Sequence, residues 1–278
     1  MRVDSHQHFW RIADRQGHWP PATLAPIHRD FGPDDLLPLL RRCGVDATVL
    51  VQSLPTVGDT DFMLDLATRH DFVRGVVGWV DMKSPDAASQ IASLARHPKL
   101  KGLRPMLQDI DDDRWIDDAA LDPAIDAMLA HELSFDALVL PRQLSALSAF
   151  ARRHPRLAIV IDHAAKPDIG RRVWQPWQRD MAALAGLPNI YCKLSGLLAE
   201  AGRNAGIEAL QPYVDHLFVC FGAPRLMWGS DWPVLRLTQD YAEWFVMAQR
   251  LCMVQPGVNA DALTAVFGGN ARRFYRLE

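Results

Sequence analysis

Short apolar runs recur along the whole chain, and amphipathic stretches fill the spaces between them. The runs are MRVDSH (1–6), DATVLVQ (46–52), FVRGVVGWV (72–80), LKGLRPM (100–106), SFDALVL (134–140), LAIVIDH (157–163), NIYCKLS (189–195) and RLMWGSD (225–231). Most are rich in aliphatic and β-branched residues, and all are too short for a typical helix, so each predicts a strand. The segments between them read as helices with punctuated ends. Pro33 opens one, Asp34 and Asp35 occupy its first turn, and Gly44 follows its end. Ser84-Pro85 and Asp122-Pro123 each predict an N-cap followed by proline at the first helical position. His97-Pro98 and His154-Pro155 predict two stops. Apolar helix faces such as Ile125, Met128 and Leu129 need a sheet to cover.

Strand, helix, strand, repeated, implies a parallel sheet. Eight such units with no break in composition predict an α/β fold, a closed (β/α)8 barrel formed as one domain over residues 1–278. A doubly wound open sheet is the alternative. It calls for a glycine-rich phosphate loop after its first strand, where this chain has HQHFW. The connection from Phe9 to Gly32 is long and carries Trp10, Trp19, Pro20 and Pro21. An ordered loop of that length predicts a functional role.

Composition narrows the class further. Of 278 residues, 49% are hydrophobic and 23% charged, the balance of an ordinary globular domain. The net charge of −3, with both signs mixed along the chain, argues against nucleic acid or an anionic membrane as partner. The N-terminal residues lack the basic and apolar regions of a signal peptide, and no apolar run reaches ~18 residues, which predicts a cytoplasmic location. Cys43, Cys192, Cys220 and Cys252 are scattered and form no CxxC pair. They read as reduced, buried apolar residues rather than a disulfide framework or zinc ribbon.

The candidate chemistry starts at VDSHQHFW, Val3 to Trp10. Asp4, His6 and His8 stand at alternate positions, which share one face of a strand. In a (β/α)8 barrel the reactive groups gather at the C-terminal ends of the strands. Those ends supply His6 and His8, then Gln52, then Trp79 and Asp81, then Arg104 and Gln108. The later ones supply Leu138, Leu140 and Arg142, then His163 and Lys166, then Lys193 and Ser195, and finally Asp231 and Trp232. Of ten histidines, only His6, His8 and His163 fall at strand ends. His70, His97, His131 and His154 fall at helix ends, where histidine commonly meets the last carbonyls.

The segments DSHQHFW, KGLRPMLQD, IDHAAKP, CKLSGL, WGSDWPV and GGNARRFY, in this order and spacing, resemble the amidohydrolase superfamily. The resemblance covers nearly the whole chain and is strongest to the branch of sugar-lactone hydrolases related to L-fuconolactonase and L-rhamnonolactonase. It implies a (β/α)8 fold and opening of a neutral sugar lactone to the sugar acid. Binuclear members carry a lysine or acidic metal ligand at strand four and a histidine at strand five. This chain has Arg104, which stays protonated, and leucines at those places. A two-metal site is therefore not expected. His6, His8, His163 and Asp231 remain as ligands for one divalent ion, zinc by type and weakly held or dispensable, or as the frame of a metal-free site.

Within that reading Asp231 is the general base, with His163 and Arg104 as the other catalytic groups; Arg104 or a protonated histidine would stabilise the tetrahedral oxyanion. Trp10, Trp79 and Trp232 would offer flat faces to the sugar, and Gln52 and Gln108 would meet its hydroxyls. Arg142 and Lys193 complete the expected substrate contacts. The expected partner is a small-molecule lactone. The oligomeric state is not legible. Two rivals stay open: a metal-dependent non-oxidative decarboxylase of the same superfamily, and a barrel that binds a sugar acid without turning it over.

Overall fold

The computed structural model describes residues 1–203 and 205–278. Eight strands form: β1 (Val3–Gln7), β2 (Ala47–Val51), β3 (Val73–Gly78), β4 (Leu100–Leu103), β5 (Ser134–Ala137), β6 (Ile159–Ile161), β7 (Ile190–Leu194) and β8 (Leu226–Trp228). Each pairs in parallel with the next, in the order β1 to β8. The ring closes where Gln7 bridges Trp232 and the His8 amide donates to the Trp232 carbonyl at 2.7 Å. This is the (β/α)8 barrel that the strand-helix alternation predicts.

The helices lie between and beyond the strands. They are α1 (Pro33–Cys43), α2 (Val57–Arg69), α3 (Ala87–Leu94), α4 (Asp122–Ala130), α5 (Leu144–Arg153), α6 (Trp177–Ala185), α7 (Leu197–Ala201), α8 (Ile207–Phe221), α9 (Tyr241–Met253), α10 (Ala260–Thr264) and α11 (Asn270–Tyr275). Helix α1 begins at Pro33 and ends on left-handed Gly44, as its punctuation implies. Two starts differ from the expected ones. Ser84 caps a turn ahead of α3 rather than the helix itself, because its hydroxyl accepts from the Asp86 amide. Asp122 is the first residue of α4, since a 3₁₀ turn capped by Asp118 precedes it. No helix among the described residues is long and apolar enough to cross a membrane.

Every expected run carries its strand, but after the first each strand stops one to three residues before the run ends. Arg104, Leu138, His163, Ser195 and Asp231 therefore leave the ladder and project from loop backbone at the barrel rim.

The interior is layered. Val3, Ala47, Val49, Val51, Val77, Val160 and Met227 form an apolar cluster with Ala271, Phe274 and Tyr275 of α11, which stoppers the N-terminal end. Burying such side chains contributes roughly 1.5–3 kcal/mol each for the larger ones. The stopper sits close because Gly268 lacks a side chain: a Cβ there would lie 2.3 Å from the Met1 carbonyl oxygen. Asn270 ties it down by donating to the carbonyls of Ala223 and Leu226 at 2.7 and 2.6 Å.

Candidate active site

At the other end of the barrel three strands bring four side chains together. His6 and His8 come from β1 and its end, His163 follows β6 and Asp231 follows β8. Oδ1 of Asp231 lies 3.3 Å from His8 Nε2, 3.8 Å from His163 Nε2 and 3.9 Å from His6 Nε2. His163 and Asp231 have left-handed backbones, with φ of 52° and 59°. Such a conformation costs a residue with a side chain roughly 1–2 kcal/mol, so neighbours must hold it. The Asp231 amide donates to the His6 carbonyl at 2.8 Å. His163 Nδ1 meets Ser195 Oγ at 2.9 Å.

His8 has a definite proton position. Its Nδ1 is 2.7 Å from the Val51 carbonyl, so Nδ1 carries a hydrogen and donates. Nε2 then presents a lone pair to the Asp231 carboxylate, and two acceptors face each other. A proton or a cation must lie between them. Burial pushes His163 down to about 4, so it is neutral near pH 7. Burial likewise holds His6 well below the ordinary histidine value, although Asp162 opposes this. Burial would raise the Asp231 carboxyl, but the surrounding imidazoles outweigh it and hold the group below its usual range, ionised.

Beneath this cluster lies a buried layer of charge. Arg104 Nη1 donates to Asp162 at 3.0 Å and sits 3.4 Å from His6 Nε2. Its Nη2 donates to the Gln52 carbonyl. The Lys193 ammonium lies 2.6 Å from Asp136, 2.9 Å from Asp162 and 3.2 Å from His6 Nδ1. The Tyr275 hydroxyl donates to Asp136 at 2.6 Å, which joins the layer to the α11 stopper.

Asp4 does not share the face of His6 and His8. It accepts from the Ser230 amide at 2.8 Å and the Tyr241 hydroxyl of α9 at 3.0 Å. The pairing of β1 with β2 is irregular between Asp4 and Gln7, and this breaks the alternation on which the expectation rested.

A cavity of about 420 Å³ opens over the cluster. His8, His163, Asp231, Arg104 and Gln108 line it. Ser53, Asp109 and Lys166 add polar groups, and Trp19, Leu24, Met106, Leu138, Val234 and Leu237 add apolar ones.

The other expected substrate contacts stand elsewhere. Trp10 is buried against Trp19 and Phe31, with its indole donating to the Arg29 carbonyl. Trp232 is buried between Phe9 and Phe31. The Trp79 backbone is clipped to Thr60 of α2, and its side chain is not on the cavity wall. Gln52 is fully buried and donates to the Arg104 carbonyl at 2.7 Å. Lys193 is also fully buried, its ammonium occupied by carboxylates and His6. Arg142 faces outward, pairs with Asp113 at 2.6 Å and braces the segment that carries Gln108. Trp19 is the aromatic residue on the wall, and the long loop after β1 delivers it. That loop is pinned by Arg15, which donates to the carbonyls of Trp19 and Ser53. Asp162, next in sequence to His163, escaped the sequence reading; its adjacency to a strand-end histidine was the available signal.

His6, His163 and Asp231 offer one donor atom each within 4.8 Å of one another. Imidazole and carboxylate are the donor types of a zinc-like ion, and the spacing fits one centre. His8 falls outside that group of three, although its lone pair borders Asp231.

Known proteins resemble this chain over its full length. An L-fucono-1,5-lactonase of Burkholderia ambifaria is 58% identical over all of this chain and 96% of its own. An L-fucono-1,5-lactonase of Burkholderia multivorans is 36% identical over all of this chain and 96% of its own. The crystal structure of an amidohydrolase from Burkholderia multivorans with bound zinc superposes with a TM-score of 0.93 at 36% identity, covering both chains completely. Residues 3–277 match the amidohydrolase family pattern, and the chain belongs to that family.

Proposed function

We propose that this protein is a lactonase that opens a neutral sugar lactone, with L-fucono-1,5-lactone the first candidate, to the sugar acid. The observation that carries the reading is the Asp231 carboxylate, faced by three imidazole Nε2 atoms under a cavity of sugar size. The full-length likeness to L-fucono-1,5-lactonases supports it. Asp231 takes a proton from water, and the water oxygen bonds to the ester carbonyl carbon. The carbonyl oxygen becomes an oxyanion. Arg104, whose side chain lines the cavity, would stabilise it. Collapse breaks the bond to the ring oxygen, and Asp231 returns the proton to that oxygen. His163, held by Ser195, orients the water against Asp231.

His6, His163 and Asp231 would hold a divalent ion, whose chemistry there is Lewis-acid activation of the water or carbonyl. In our reading this ion, zinc by donor type, is weakly held or dispensable, because the Arg104 charge already stands beside His6. The arginines support a neutral substrate: Arg104 is paired with Asp162, and Arg142 with Asp113, so neither offers a free fork to a substrate carboxylate. A metabolic enzyme of this kind belongs in the cytoplasm.

The test is a pH-indicator assay on a panel of aldonolactones and dicarboxylate lactones, with and without chelator. Aldonolactones should react at least ~100-fold more efficiently than dicarboxylate lactones. Asp231→Asn should lower turnover by at least ~100-fold while the fold survives. A dicarboxylate lactone as best substrate would overturn the substrate class. Activity abolished by chelator and restored by one equivalent of zinc would overturn the dispensable ion. No observation favours the decarboxylase or the silent barrel specifically.

A further inference from the structure

We propose that Lys166 is the group that binds the carboxylate created by the reaction, an assignment that rests on the lactonase reading. Hydrolysis turns a neutral lactone into a carboxylic acid, which releases its proton to solvent near pH 7 and leaves an anion beside Asp231, itself an anion. A cation nearby would offset that repulsion. The charges of the deeper cations are already answered: Arg104 by Asp162 at 3.0 Å, and Lys193 by Asp136 and Asp162 at 2.6 and 2.9 Å. Together those four side chains sum to zero.

Lys166 differs. It lines the same cavity as His163, Asp231 and Gln108. Among the described residues no carboxylate oxygen comes within 4.0 Å of its ammonium. The nearby Glu200 carboxyl is pushed up by burial, with Lys166 pulling it back only in part, so it is a weak competitor for the lysine. Lys166 is thus the cation on the cavity wall whose charge is not spent on an ion pair.

The backbone supports the assignment independently. His163, Ala164, Ala165 and Lys166 have φ values of 52°, 51°, 59° and 51°, a run of four left-handed residues with side chains. Consecutive residues rarely adopt this region, and such strain gathers at functional sites. The run starts at His163 and ends at Lys166, whose amide donates back to the His163 carbonyl at 2.8 Å. The same turn that aims His163 at Asp231 therefore carries Lys166 to the rim.

Aldonate binding tests this directly. L-fuconate is titrated by calorimetry into the parent protein, Lys166→Met and Lys166→Arg, and measured as a competitive inhibitor of lactone hydrolysis. Losing a charge-assisted contact should weaken fuconate at least about fivefold in Lys166→Met, with Lys166→Arg restoring most of it. The KM for the neutral lactone should move much less than the fuconate constant. A fuconate constant in a folded Lys166→Met changed by less than that factor overturns the assignment. Should the methionine variant fail to fold, Lys166→Gln serves under the same threshold. Failure of the parent to hydrolyse any aldonolactone would instead overturn the lactonase reading, which the calorimetry separates from the role of Lys166.

Discussion

Gly196 follows Ser195 and has a φ of 68°; a methyl group there would lie 2.6 Å from His163 Nδ1. Gly196→Ala should therefore do two things. It should destabilise the fold by about 1 kcal/mol through the left-handed backbone, a loss of roughly 2–4 °C in Tm. It should also displace the His163 imidazole and lower kcat by at least ~10-fold, since small misplacements of reacting groups are costly. Thermal unfolding and steady-state kinetics check both, and an unchanged kcat would show that His163 tolerates the shift. At this scale the sequence was unevenly informative. His6, His8, His163 and Asp231 were legible because strand ends are where a barrel gathers its chemistry, and the three imidazoles border one oxygen of the Asp231 carboxylate. Trp10, Trp79, Trp232 and Gln52 carried the right chemical type, yet residue type does not say which way a side chain turns at a strand end. Lys193 lay one residue before a strand end and points into the barrel, so its charge serves Asp136 and Asp162.

Elements were easier to read than orientations. Apolar runs bounded by capped helices are strong signals, and all eight strands followed them. The ends of those strands were not legible, because a ladder stops where the backbone turns a side chain inward, and periodicity does not record that. The long loop after β1 was marked by its length, but the contact that shapes it, Arg15 to Trp19 and Ser53, joins distant segments. Between α3 and β4, His97 supplies a prediction that belongs to the element. Its Nδ1 accepts from the Lys99 amide at 3.2 Å, and its Nε2 meets the Thr68 hydroxyl of α2 at 2.9 Å. The neutral ring is the bound form, and burial, followed by Lys99, holds its pKa below the ordinary value. A histidine depressed in the folded state contributes stability that is complete above about pH 6.5 and is lost as the pH falls below it. Urea midpoints of the parent should drop between pH 8 and pH 5.5, and His97→Gln should flatten that drop. An equal slope in the variant would place the acid sensitivity elsewhere.

The whole molecule is organised by a change of polarity along the barrel axis: an apolar stopper at one end, a buried layer of charge above it, and the candidate site at the mouth. The charged layer draws Arg104 from the end of β4, Asp136 from β5, Asp162 from the end of β6 and Lys193 from β7, and all four are buried. Two positive and two negative groups balance, so the layer is tolerable only when complete. Lys193→Met should therefore leave Asp136 and Asp162 short of a counter-charge and cost about 3–5 kcal/mol. The double variant Asp136→Asn, Lys193→Met restores the balance, since Arg104 still pairs with Asp162 and the Tyr275 hydroxyl still meets position 136. It should be more stable than Lys193→Met alone, a non-additivity that urea unfolding of both single variants and the double one would measure. Additive losses would mean that the charges act independently, and that the layer is a set of separate contacts. A restored fold with low turnover would show that Lys193 also positions His6, because the double variant regains charge balance but still lacks the ammonium 3.2 Å from His6 Nδ1.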